Sequence, residues 1–137
     1  MGAVLKTVPD ILMVYDFDRG EPIFQNADIT KLLGYTEQDL EDTNNKLMRY
    51  IAHPEDVVSS DIFTEMVKKM SSGDVYETTM RLQHNNGEWH HFYFRSAALD
   101  KDEDGRVLNA VVVARDITEV LKAQQILSEK QKHYQLL

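Results

Sequence analysis

The chain of 137 residues has no cysteine. That excludes disulfides, thiol nucleophiles and thiolate metal sites at once. Only three prolines and one tryptophan occur, and no low-complexity segment or internal repeat accompanies them. No apolar run approaches the roughly 18 residues that span a bilayer, and no charged stretch leading into a long apolar one marks a secretory leader. Basic residues are also short: 15 Lys and Arg stand against 23 Asp and Glu, a net charge of −8. A surface that acidic is a poor match for phosphate backbones, so nucleic acid is not an expected partner. Direct membrane insertion is not expected either. The simplest location is cytoplasmic, with the cytoplasmic part of a membrane-anchored sensor as the variant.

What is present is an ordinary globular mix, 42% hydrophobic and 28% charged, at about the length of one domain. Residues 1–8 read as an N-terminal flank or cloning remnant, and the open C-terminus reads as a cut from a longer chain. Residues 11–17 are apolar and β-favouring, Asp18–Pro22 is turn chemistry, and Ile23–Gln25 is a second short strand, so 11–25 is a hairpin. Asn26 is placed to cap a helix over 27–33 that Gly34 stops. Thr36 and Asp39 form a near capping box. Residues 41–50 are polar and poorly patterned. Pro54 opens a helix over about 54–72, where Val57, Ile62, Met66, Val67 and Met70 predict one buried stripe and Gly73 ends it.

The grammar then changes. Residues 75–84 and 88–99 are strand-like, and Asn85-Asn86-Gly87 between them is a three-residue hairpin loop. That loop sets Met80 opposite Phe92 and Thr78 opposite Phe94, and cross-strand partners share a face. Tyr76, Thr78, Met80, Leu82, Phe92, Phe94, Ser96 and Ala98 then look toward the helices. Trp89, His91, Tyr93 and Leu99 form an opposite face too aromatic for bare solvent. Residues 107–115 are a last strand, and a polar, helix-favouring run follows Asp116-Ile117-Thr118 to the end. In that run Ile117, Val120, Gln124, Leu127, Gln131 and Tyr134 alternate at spacings of 3 and 4, a weak coiled-coil seam.

Four stretches, in order, resemble one family. "LLGYTEQDL" at 32–40, "HPEDV" at 53–57, "YETTMRLQHNNGEW" at 76–89 and "ARDIT" at 114–118 are similar to the motifs of a PAS domain with its C-terminal PAC segment. The resemblance covers about 8–120. It implies an α+β fold: a five-stranded antiparallel sheet, order 2-1-5-4-3, with helices on one face and a C-terminal exit helix. The domain is expected at 9–118 and a linker helix at 119–137. The resemblance further implies a sensory module of bacterial or archaeal signalling proteins. "EKQKHYQLL" at 129–137 is similar to the lead-in of a further PAS domain, so a downstream PAS or an output module such as a histidine kinase or diguanylate cyclase is expected in the same chain. Flavin photosensors of the family need a reactive Cys, so covalent flavin chemistry is excluded here. Haem-binding members use a His on the long helix, and 54–72 contains none, so haem is not expected; the cofactor is otherwise open.

No residue set marks an active site, and no catalysis is expected of this chain. His90 and His91 point to opposite faces of one strand, which argues against a metal site with His84. His53 is read as helping the helix start at Pro54. The acidic run Asp100–Asp104 resembles a calcium loop but lacks its alternation and distal Glu, so it is a solvated turn. The candidate ligand pocket is Phe24, Met66, Tyr76, Thr78, Met80, Phe92, Phe94, Ser96 and Val112. The alternative is that these residues simply pack a core; the hydroxyls of Tyr76, Thr78 and Ser96 favour a polar ligand. Asp116, with Glu119 three residues on, is read as the exit helix's N-cap, making Asp116, Ile117, Thr118 and Glu119 the signal junction. Trp89, Tyr93, Leu99, Val120 and Leu127 are the expected homodimer face. Two functions remain: a small-molecule sensor, or a ligand-free dimerisation or docking module.

Overall fold

The computed structural model describes residues 10–135 other than Asn45 and Ser72. Five strands form one antiparallel sheet: β1 (Ile11–Asp16), β2 (Glu21–Gln25), β3 (Val75–Gln83), β4 (Trp89–Lys101) and β5 (Val107–Asp116). Their order is β2-β1-β5-β4-β3, as expected, so the N-terminal hairpin joins the C-terminal strand at the sheet's centre. Between β2 and β3 lie α1 (Ile29–Leu32), α2 (Glu37–Asp42), α3 (Leu47–Ile51) and α4 (Pro54–Lys68); α5 (Thr118–Gln135) leaves from β5.

The β3–β4 register is the one the three-residue loop dictates: Met80 faces Phe92, Thr78 faces Phe94 and Tyr76 faces Ser96. Gly87 takes φ +93°, the left-handed position that lets the chain reverse. Leu82, Phe92, Phe94 and Ala114 turn inward onto Ile29, Leu33, Leu47 and Ile51 of the short helices and form the main core. A second cluster, Val67, Met70, Val107 and Ala110, packs the C-terminal end of α4 onto the sheet.

Local starts and stops differ from expectation in instructive ways. Asn26 does not cap α1. Its side chain accepts from the Leu12 N–H and donates to the Asp10 carbonyl, tying β2 back to β1, and Asp28 caps the helix instead. The Thr36–Asp39 capping box forms in full. α3 arises inside the stretch that lacks pattern; Lys46 gives it no side-chain cap, and burial of Leu47 and Ile51 holds it. α4 ends at Lys68, four residues early, and its stripe is only half buried: Val67 and Met70 are inside, but Ile62 is 57% and Met66 47% exposed. The helix runs from β3 toward β4 and β5, and its exposed Ile62 and Met66 leave β3 incompletely covered. Strand β2 begins at Glu21, so Pro22 lies within it rather than in the turn.

Candidate functional site

Three regions carry chemistry: the α4–β3 cleft, the β4–β5–α5 junction and the uncovered outer face of the sheet. The cleft follows from the incomplete cover of β3. Ser59, Ile62, Phe63 and Met66 recur at helical spacing along α4 and face Val75–Thr78 of β3 across a cleft of about 370 Å³. Met66, Tyr76 and Thr78 of the predicted pocket come together here. The rest of that set does not. Phe92, Phe94 and Ser96 are buried, and Met80 and Val112 pack against the main core. Phe24 is a correction: it pairs with Val14, while Val112 pairs with Met13, so Phe24 lies on the opposite face of the sheet and is 54% exposed. The hydroxyl argument also weakens, because among the described residues no buried side-chain polar atom lacks a partner.

An ion cluster fixes the cleft's far end. Arg81 on β3 donates from Nε and its backbone N–H to Asp56 Oδ2, each at 2.9 Å, and from Nη2 to Asp56 Oδ1 at 2.9 Å and Glu55 Oε2 at 3.0 Å. The Arg81 bonds hold the Asp56 carboxyl well below its usual range, at about 2, against the opposing effect of burial. His53 caps α4 as expected, its Nδ1 accepting from the Glu55 N–H at 3.2 Å. Its ring rests against Trp89, centroids 5.0 Å apart, so part of the cover that Trp89 needs comes from its own chain. Among the described residues no three His, Asp or Glu converge as a metal site would require.

At the junction, Asp116 is the last residue of β5 and Ile117 occupies the cap position: its carbonyl accepts from the Leu121 N–H. Asp116 is one residue further back than expected and turns the chain. Oδ1 accepts from both the backbone N–H and the hydroxyl of Thr118, and Oδ2 lies 2.7 Å from His90 Nδ1. A carboxylate only accepts, so the contact fixes a proton on that nitrogen. Burial pushes the Asp116 carboxyl up, but the Thr118 bonds and His90 outweigh it and hold it below the usual range. Glu119 forms no box; it lies 3.7 Å from Lys122, exposed. Two further bonds sew the junction to β4: Ile117 N–H to the His91 carbonyl, 2.8 Å, and His91 N–H to Thr118 Oγ1, 2.9 Å. Beyond buried Thr118, the described side chains of α5 are all exposed, Val120 and Leu127 among them.

The outer face of the sheet carries Leu12, Val14, Phe24, Val111, Val113 and Tyr93, with Trp89 and Leu99 toward its margins. Glu77 belongs here too, opposite Arg95; burial first, and then Glu77, push the Tyr93 phenol's pKa up.

A family model described as PAS fold matches residues 22–114. The chain belongs to the PAS fold family. Similar solved structures include a sensory box histidine kinase/response regulator from Burkholderia thailandensis (18% identity, 93% of this chain and 92% of that one, TM-score 0.65). A domain of a light and redox sensing histidine kinase from Haloarcula marismortui is also similar (18% identity, 83% and 93% covered, TM-score 0.64). So is the N-terminal domain of a diguanylate cyclase with PAS/PAC sensor from Marinobacter aquaeolei (18% identity, 80% and 96% covered, TM-score 0.60). At such identity the likeness is one of fold. No curated protein matches the chain. No described helix of this PAS domain is long and apolar enough to cross a membrane.

Proposed function

We propose that this PAS domain is the sensory module of a multidomain signalling protein. It binds a small molecule at the α4–β3 cleft and relays the event through Asp116, Ile117 and Thr118 to α5. The observation that carries the reading is how α5 is held: by its first turn alone, stitched to the ends of β4 and β5. A shift of β4 against β5 therefore changes the direction in which the helix leaves. A ligand drives that shift only as far as it prefers one arrangement to the other. The domain is regulatory rather than catalytic, works in the cytoplasm as a homodimer, and hands its signal to a further PAS or an output module in the same chain. A metabolite screen by thermal shift, followed by amide shifts of the hits, tests this. Expected hits raise Tm and move Thr78 together with Thr118. Hits that move Thr78 and leave Thr118 still would refute the relay; a screen without hits, repeated on the intact sensor, would refute the input.

A second reading, a ligand-free dimerisation or docking module, draws on the apolar outer face and the uncovered α5. Its test is the oligomeric state, taken up below.

A further inference from the structure

We infer that the α4–β3 cleft takes an extended peptide, which adds to the free edge of β3 as a sixth strand; this rests on the reading of the cleft as the input site and names the class of its ligand. In an antiparallel strand both backbone groups of a residue point to the same side, and the side alternates along the chain. Arg81 shows which residues point away from β4. Its N–H donates to Asp56, and its carbonyl accepts from His53 N–H. Two residues on, the Gln83 carbonyl accepts from the Tyr35 hydroxyl at 2.6 Å. By the same alternation Val75, Glu77 and Thr79 direct their N–H and C=O groups outward, and among the described residues none of these has a hydrogen-bonding partner. The upper edge of β3 is closed by the chain itself, and the lower three residues stand open beside the cleft.

Val75 and Glu77 line the cleft although their side chains belong to the outer face, where Glu77 lies opposite Arg95 and Val75 opposite Ala97. What they offer the cleft is backbone. A ligand that answers such a surface presents amides at a two-residue repeat, which is a peptide strand. Alternate side chains of that strand would fall on the α4 side, where Ile62 and Met66 lie half exposed beside Phe63. The opposite set would stand beside Glu77. Among the described residues no basic side chain lines the cleft, and the chain as a whole carries −8. The matching peptide alternates apolar residues with basic ones. A second copy of the chain is a worse occupant. Two-fold pairing centred on the three open residues sets Glu77 of one copy directly opposite Glu77 of the other, a like-charge contact.

The probe is a hexapeptide alternating valine and lysine, blocked at both ends, titrated into ¹⁵N-labelled chain. Controls are its valine–glutamate counterpart and a version N-methylated at alternate residues. The expected result is slowed hydrogen exchange at Val75, Glu77 and Thr79 with the valine–lysine peptide, and binding at least about tenfold weaker for the methylated one, which loses edge hydrogen bonds. Thr79→Pro should weaken binding similarly, since its N–H lies outside the β3–β4 ladder. Wild-type exchange is read independently of how that variant folds. Unslowed exchange at these three amides overturns the peptide proposal. If small metabolites still move Ile62 and Met66, the cleft remains an input site; if they do not, both readings fall.

Discussion

Asp116→Ala removes three hydrogen bonds in one step: two from Thr118 and the contact with His90. The side chain of Asp116 is only 17% exposed, so water does not readily replace them. A hydrogen bond to a charged group is worth about 1.5–3 kcal/mol, and loss of a helix-start acceptor alone about 1 kcal/mol. The terms are not additive, because Thr118 Oγ1 still accepts from the His91 N–H after the change. The expected destabilisation is about 2 kcal/mol, read from the urea midpoint at unchanged m-value. Asp116→Asn is the control. Its carbonyl keeps both Thr118 bonds and only the His90 contact changes, so the expected cost is below about 1 kcal/mol. Equal costs for the two variants, or a cost under about 0.5 kcal/mol for alanine, would refute the idea that the carboxylate organises the turn. In the intact protein, Asp116→Ala should also disconnect output from input while ligand affinity stays near wild type. An unchanged signal response there would reduce Asp116 to a structural turn.

Three other outcomes follow from the same geometry. Asp56 has its pKa lowered from 3.8 to about 2, so the Arg81 pairing stabilises the fold fully above about pH 4 and is lost as pH falls toward 2. Acid titration should therefore release about 2 kcal/mol in wild type but not in Asp56→Asn, and parallel curves would disprove it. Gly34→Ala should cost about 1–2 kcal/mol, because Gly34 sits at φ +85° and an added Cβ would lie 3.2 Å from Asn85 Cβ; a neutral thermal melt would contradict this. Sedimentation at high concentration should show a dimer that Phe24→Glu or Tyr93→Glu weakens, and a strictly monomeric wild type would reject the outer face as the interface.

The parts legible in the sequence were those with local chemical markers. Asn85-Asn86-Gly87 sets a loop length, loop length sets register, and register assigns every side chain of β3 and β4 to a face. Thr36 with Asp39 and His53 with Pro54 mark helix starts by hydrogen-bonding capacity alone. Where no local marker exists, tertiary packing decides. The face of Phe24 depends on a turn of undetermined length and on an irregularity between Val14 and Tyr15, neither of which the residues mark. Met66 and Ile62 have helix-face spacing, but how far α4 overhangs the sheet is a tertiary fact that periodicity does not contain. α3 has no cap and exists by packing. Asp116-Ile117-Thr118 marks the junction in the sequence, but nothing marks His90, because a contact 26 residues away has no local signature.

α5 has 18 residues, and at a rise of about 1.5 Å per residue its far end lies about 27 Å from the anchored turn. A lever of that length magnifies what happens at its pivot. A tilt of about 10° at that turn swings the tip by about 5 Å, close to the pitch of one helical turn. The described side chains beyond Thr118 are all exposed, so little packing in the domain resists the swing. Motions at the sheet too small to alter its strand pairing are thus magnified along the exit helix.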